Sequence, residues 1–407
     1  MLEELFRLSQ SFIRQYNKKY VRYFLKSTEL THRLSIIKGS RGIGKTTAVV
    51  QHILKEYDNN ILTDKALYVQ VDHFLVKNYS LYEIAETFLQ YGGELLCLDE
   101  IHKYENWSGE LKSIYDTFPT LQIIATGSSA LEIHKGSHDL SRRAAIYTMR
   151  GMSFREFIEI NHDIELPNIK LEKILSSHIE HSHNIYKFLE EHNLKVLPLF
   201  KRYLAIGYYP YFLDFKDDAL FYRTLEQNIH TTIENDLLAI YPKLTGSSIK
   251  KLEQLLGVIA SSVPFTPDMK KLKTIIGVGD ERTLKNYLKY LEDSGLIALL
   301  PKSIKGLGSI EKPEKIYLHN PNLLFLFENN IGTLRETFLY NTLLQNHIVI
   351  AAQKGDFRVD NKWILEVGGK NKSFEQIKEL KNGYVVADEI EHGFGQKIPL
   401  WLFGFMY

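Results

Sequence analysis

With one cysteine in 407 residues, Cys97, the chain holds no internal disulfide framework. Cys97 lies inside the apolar run Leu95-Leu96-Cys97-Leu98 and reads as a small buried hydrophobe. No apolar run is long enough for a membrane-spanning helix, so no membrane partner is expected. The closing stretch Ile398–Tyr407 is too short to span and reads instead as a buried terminal strand. Met1-Leu2-Glu3-Glu4-Leu5-Phe6 shows no basic segment ahead of an apolar core, so a signal peptide is not expected and the cytoplasm is. The formal net charge of +1 excludes a global basic footprint for nucleic acid but leaves room for a local one. A hydrophobic content of 44% with 24% charged residues is that of an ordinary globular chain. Its length implies several units rather than one core.

Against those absences stands a complete phosphate-loop pattern, Gly39-Ser40-Arg41-Gly42-Ile43-Gly44-Lys45-Thr46. The apolar Leu34-Ser35-Ile36-Ile37 before it reads as a buried strand. The stretch from Thr47 to Leu54 after it reads as a helix. Strand, glycine turn and helix together are the context this loop needs. Backbone N–H groups curl around phosphates there, and the helix N-terminus adds partial positive charge. Lys45 is the expected cation for the β- and γ-phosphates of ATP, Thr46 an expected Mg²⁺ ligand, and Thr47 closes the binding segment.

Two further strand-like runs follow, Ala66–Asp72 and Leu95–Leu98, the second running directly into Asp99-Glu100. A buried parallel strand carries such acids to its carboxyl end, beside the phosphate loop. Asp99 is then expected to hold Mg²⁺, and Glu100 to polarise the water that attacks the γ-phosphate. After the helical stretch Trp107–Asp116, Leu121–Thr126 reads as a strand ending in Gly127-Ser128-Ser129. Thr126 or Ser128 suits a γ-phosphate sensor; equally, Ser128 or Ser129 caps a helix beginning at Ala130. Farther on, Arg142 and Arg143 offer guanidinium groups of the kind that stabilise a transferring phosphoryl group.

The order of these segments, with Leu140-Ser141-Arg142-Arg143 and Ser153-Phe154-Arg155-Glu156-Phe157, resembles the prokaryotic AAA-type ATPases with a C-terminal domain of uncharacterised function. The resemblance extends over essentially the whole chain. It implies an AAA+ arrangement of a parallel sheet, ATP binding and hydrolysis. Where that family carries Leu-Ala-Gly-Arg, this chain has Leu140-Ser141-Arg142-Arg143, so Arg143 matches the family arginine and acts in cis or from a neighbouring copy.

Ser153 with Glu156 forms a capping box that opens a helical region resembling the lid after an AAA+ core. His178, His181, His183 and His192 lie in it without a nearby cysteine and read as the polar face of solvated helices, not a metal site. From Ile249 the pattern tightens. Asp280 caps a helix carrying Leu284, Leu288 and Leu291 at helical spacing, and Gly295 ends it. Leu296–Leu300, a glycine-punctuated Lys302–Ser309 and Lys315–Leu318 then read as strand, loop and strand. Together these make a winged helix-turn-helix. Its last helix exposes Arg282, Lys285, Asn286 and Lys289, and lysine and arginine outnumber the acids from Lys243 to Lys305. Such a face docks on DNA or packs on a protein partner.

In the last part, Glu336 sits on a helix, Asp356 at a strand start, and Glu366 with Lys370 on the next strand. This resembles the restriction-endonuclease-like, PD-(D/E)xK fold, in which two acids hold Mg²⁺ and the lysine steadies the reacting groups. Here Gly368 occupies the position where the lysine is expected, and Lys370 lies farther on. A degenerate, non-cleaving domain is therefore expected.

The expected fold class is α/β: a P-loop NTPase parallel-sheet core (1–152), a helical lid (153–242), a winged helix-turn-helix (243–312) and a small restriction-endonuclease-like domain (313–407). The expected function is an Mg²⁺-dependent ATPase of AAA type whose nucleotide state controls a DNA- or partner-binding C-terminal half, as a single copy or a homo-oligomer. The alternatives are an ATP-gated nuclease using Glu336, Asp356, Glu366 and Lys370, and a nucleotide-binding interaction module with negligible hydrolysis.

Overall fold

The computed structural model describes residues 1–128, 130, 140–303, 312–327 and 331–407. Ser129 and most of the Lys302–Ser309 loop lie outside the described residues. The chain divides into two compact units. The first comprises Met1–Arg150 together with His230–Leu244, and the second Gly151–Ile229 with Thr245–Tyr407.

The first unit is built on five parallel strands: β1 (Leu34–Lys38), β2 (Ala66–Gln70), β3 (Leu95–Asp99), β4 (Gln122–Gly127) and β5 (Ala145–Thr148), in the order β2-β3-β4-β1-β5. Strands buried on both faces read as continuous apolar runs, which is why Leu34–Ile37 and Leu95–Leu98 contain almost nothing else. Only β5, at the sheet edge, alternates between half-buried and exposed positions. One face of the sheet packs against the helices Leu2–Tyr16, Leu81–Gln90 and Trp107–Thr117 through Leu5, Phe88, Leu96, Leu111 and Ile114. Ser80 and Glu83 form a capping box that fixes where Leu81–Gln90 begins. Because all five strands run the same way, their carboxyl ends share one edge. The loops after β1, β3 and β4 converge there.

In the second unit the Ser153–Glu156 capping box opens the helix Phe154–His162 as expected. The helices Gly246–Ala260, Met269–Ile276 and Glu281–Asp293 precede an antiparallel pair, β6 (Ile297–Leu300) and β7 (Lys315–Leu318). Asp280 caps the third helix by accepting the Thr283 N–H at 2.7 Å. The last sheet contains β8 (Val349–Ala351), β9 (Phe357–Val359), β10 (Trp363–Gly368), β11 (Gly383–Ala387) and β12 (Lys397–Pro399), in the order β12-β11-β10-β9-β8.

Two expectations need correction. The closing segment is not a long strand: β12 stops at Pro399, and Leu400–Phe405 is a buried 3₁₀ helix. Phe405 packs on Phe154, and Arg155 donates to the Tyr407 carbonyl at 3.1 Å, so an apolar run read as strand instead plugs a helical core. His178 is also not on a solvated face. It is buried against Gly393, where a β-carbon would collide with the imidazole ring.

Candidate nucleotide site

The phosphate loop turns between β1 and the helix Lys45–Glu56, with Gly42 (φ 82°) and Gly44 (φ 96°) in the left-handed region that glycine adopts without steric cost. Gly39 lies so close to the Met149 carbonyl that a β-carbon would overlap it. Arg22, buried and far upstream, donates to the Ile43 carbonyl at 2.6 Å and to the Arg150 carbonyl at 3.0 Å. That tie braces the loop, and no local pattern around a lone arginine announces it. Lys45 Nζ donates to the Gly39 and Ser40 carbonyls at 2.8 and 3.1 Å.

Asp99 ends β3 fully buried and gathers three hydroxyls. Thr46 Oγ1 donates to it at 2.8 Å, and the Tyr68 and Thr126 hydroxyls also donate to its carboxylate. Tyr68 belongs to β2 and was not among the sequence candidates. Burial, with the adjacent Asp99 charge, pushes its phenol pKa far above the usual value. Thr46 and Asp99 thus present hard oxygen donors, the type that a small divalent cation such as Mg²⁺ requires.

Glu100 has φ 56° and ψ 41°, a left-handed backbone unusual for a non-glycine residue and the kind of strain that concentrates at functional sites. Its N–H donates to Thr126 Oγ1 at 3.0 Å, so Thr126 joins both acids. Its carboxylate lies 3.9 Å from Lys45 Nζ, 3.7 Å from Lys103 Nζ and 3.6 Å from His102 Nε2. Ser128, at the end of β4, donates its N–H to His102 Nδ1 at 3.3 Å, and its own hydroxyl accepts the Ala130 N–H at 3.4 Å. The helix expected from Ala130 lies outside the described residues.

The segment His230–Leu244 brings in Asp236, the last residue of a π-helical turn. Asp236 is buried and accepts from Arg41 of the phosphate loop at 3.1 Å. Burial alone would raise its pKa, but His102 and Arg41 outweigh that and hold the carboxyl below its ordinary value. No sequence signal links residues so far apart.

The remaining candidates lie elsewhere. Arg143 donates from Nε and Nη2 to Asp116 at 2.7 and 2.9 Å, a two-pronged pair at an exposed position. In the second unit, Lys285 pairs with Glu281 at 3.0 Å, and Lys289 with Asp293 at 2.6 Å and Glu292 at 3.6 Å, all along one helix that also carries Arg282.

Glu336, Asp356 and Glu366 do gather, but around different lysines from the one expected. Lys315 lies 3.2 Å from Glu336 and 3.5 Å from Asp356, and Tyr317 donates to Glu336 at 2.6 Å. Asp356 accepts the Val367 N–H at 2.9 Å. Lys372 ion-pairs with the buried Glu366. Turned with its nitrogen inward, the Gln376 amide donates to both Glu366 oxygens at 3.0 and 3.1 Å. Burial raises the Glu366 pKa, opposed by Lys372 and supported by Asp356. Lys370 lies beyond the strand, which ends at Gly368, and its carbonyl accepts from Lys397.

Residues 31–158 match the model of a family described as an AAA domain. The first unit therefore carries the α/β core of a P-loop, nucleotide-binding ATPase. Residues 197–329 match a domain of unknown function (DUF8612). The chain is 25% identical over 398 residues to the uncharacterized protein MJ1637 of Methanocaldococcus jannaschii, an alignment covering 88% of this chain and 81% of that one. Among solved structures, the Aeropyrum pernix Orc1 protein in complex with DNA is similar with a TM-score of 0.31 and 11% identity, covering 77% of this chain and 90% of that one. AMPPCP-bound DnaA from Aquifex aeolicus follows with a TM-score of 0.26 and 15% identity, covering 72% and 91%. Among the described residues no helix is long and apolar enough to cross a membrane.

Proposed function

We propose that the protein is an Mg²⁺-dependent ATP hydrolase of AAA type whose nucleotide state controls a DNA- or partner-binding second unit. The observation that carries this reading is the convergence of Thr46, Tyr68 and Thr126 on Asp99, with Lys45 and Glu100 alongside. In this reading the loop from Gly39 to Thr47 binds the phosphates, and Thr46 and Asp99 hold Mg²⁺, which supplies charge neutralisation at the phosphoryl group. Glu100 orients the attacking water. Its backbone N–H is anchored on Thr126, so the side chain starts from a fixed position, as a positioning step requires. Thr126 and Ser128 are the sensors, and Arg143 acts in cis or from a neighbouring copy. Glu100→Gln is the decisive variant. It should keep ATP binding and lose turnover, because it spares the cation ligands and removes the carboxylate. Wild-type hydrolysis by Glu100→Gln would refute the assignment.

For the second unit the proposal keeps the lid, winged-helix and nuclease-like regions read from the sequence. Its helix Glu281–Asp293 provides the basic face. Its acidic cluster does not cut nucleic acid in this reading, because Gly368 stands where the lysine is expected and the strand ends there.

A further inference from the structure

We infer that Asp236 and His102 form a positioning pair for Glu100, so that His230–Leu244 completes the hydrolytic site it returns to. The inference rests on the ATPase reading above and adds two residues to it.

His102 is the pivot. It is buried, with no exposed side-chain area. Its Nδ1 accepts the Ser128 N–H, which in the neutral ring leaves the hydrogen on Nε2. Nε2 is equidistant from two carboxylates, 3.6 Å from Glu100 Oε2 and 3.6 Å from Asp236 Oδ1. At those distances neither contact is a hydrogen bond, and among the described residues Nε2 has no other partner. A buried N–H aimed between two anions is costly unless one of them closes on it. Catalytic hydrogen bonds of this kind tighten when substrate is in place.

The three ligand atoms of Glu100, His102 and Asp236 lie within 4.8 Å of one another, close enough for a metal. The ring hydrogen argues against one, since a metal needs the lone pair that Nε2 then lacks. The surroundings are also cationic: Arg41 holds Asp236, and Lys45 and Lys103 flank Glu100. The arrangement is instead a relay poised to close. Arg41 fixes Asp236, Asp236 orients the His102 N–H, and His102 restrains the Glu100 carboxylate. Its far end lies in a π-helical turn, a local irregularity frequent at functional sites.

The test compares nucleotide binding with turnover in the full chain. Asp236→Asn and His102→Leu should bind a fluorescent ATP analogue within about threefold of wild type and lower kcat by about tenfold or more, with KM little changed. The double variant should be no slower than the worse single, as expected for residues that act through one another. His102→Gln should restore turnover to within about threefold of wild type, because an amide can accept from Ser128 and donate to Glu100 at once. A residue that merely fills space would be rescued by leucine as well as by glutamine.

If wild type hydrolyses ATP and all these variants match it, the relay is wrong and the ATPase reading stands. If the variants fall by additive amounts, or glutamine fails to rescue, the relay is also wrong. If wild type neither binds nor hydrolyses ATP, the ATPase reading itself is lost.

Discussion

Tyr68, on β2, donates its hydroxyl hydrogen to Asp99 at the end of β3, joining neighbouring strands at the buried acid. Tyr68→Phe keeps the ring and deletes that donor. Unfolding by urea should show a loss of about 1.5–3 kcal/mol, the range for a hydrogen bond to a charged group. A midpoint unchanged from wild type would mean that the hydroxyl contributes nothing to the fold.

Asp236 sets a pH dependence of known sign. Its folded pKa is depressed, so the stability contributed by the ionised carboxylate is present above the unfolded value, about 3.9, and is lost as pH falls through the folded value. Asp236→Asn should be less stable than wild type near neutrality, and the gap should close in acid below about pH 4. Denaturant titrations across that range measure it. A gap that does not narrow would exclude the ion pair as its source.

Arg143 acts either in cis or on nucleotide held by a neighbouring copy, and the second case has a signature in protein concentration. ATPase activity per subunit should then rise with protein concentration, and Arg143→Ala should remove the rise. Asp116→Ala removes the two-pronged contact to the guanidinium and should leave the rise intact. Activity independent of concentration where the protein self-associates would leave a cis or structural role only.

The lysines of the helix Glu281–Asp293 sit in ion pairs that are partly exposed, and such pairs are worth little and exchange readily for phosphate. Duplex affinity should fall steeply with salt, and Lys285→Glu with Lys289→Glu should weaken binding and flatten the slope. No duplex binding at low salt would move the assignment to a protein partner.

The acidic cluster of the second unit should not cleave plasmid or single-stranded DNA with Mg²⁺ or Mn²⁺, with or without ATP. Metal-dependent cutting that disappears in Asp356→Ala and Glu366→Ala would restore the nuclease alternative, with Lys372 in the place expected of Lys370.

The sequence was most legible where chemistry and local geometry coincide. Gly39–Thr46, Asp99-Glu100 and Thr126 each end a buried strand, and parallel strands bring such ends together. The caps at Ser153 and Asp280 were legible for a similar reason, since their partners lie three residues away. Contacts across long stretches of chain left no such trace. Arg22, Tyr68 and Asp236 reach the site from other elements, and nothing adjacent to them marks the meeting. Lys370 misled because its spacing from Glu366 was measured along a strand that stops at Gly368. Past that point the chain turns, and Lys372 is the side chain that returns. The terminal apolar run misled because hydrophobicity reports burial without fixing a period, and a 3₁₀ turn buries it as well as a strand does.

The discontinuity of the first unit also bears on its birth. A chain emerging from the ribosome folds in the order in which it appears, N-terminal parts first. Here Arg150 arrives long before Asp236, and all of Gly151–Ile229 is synthesised in between. The first unit therefore waits, incomplete, with Arg41 lacking the Asp236 carboxylate, until His230–Leu244 has been made.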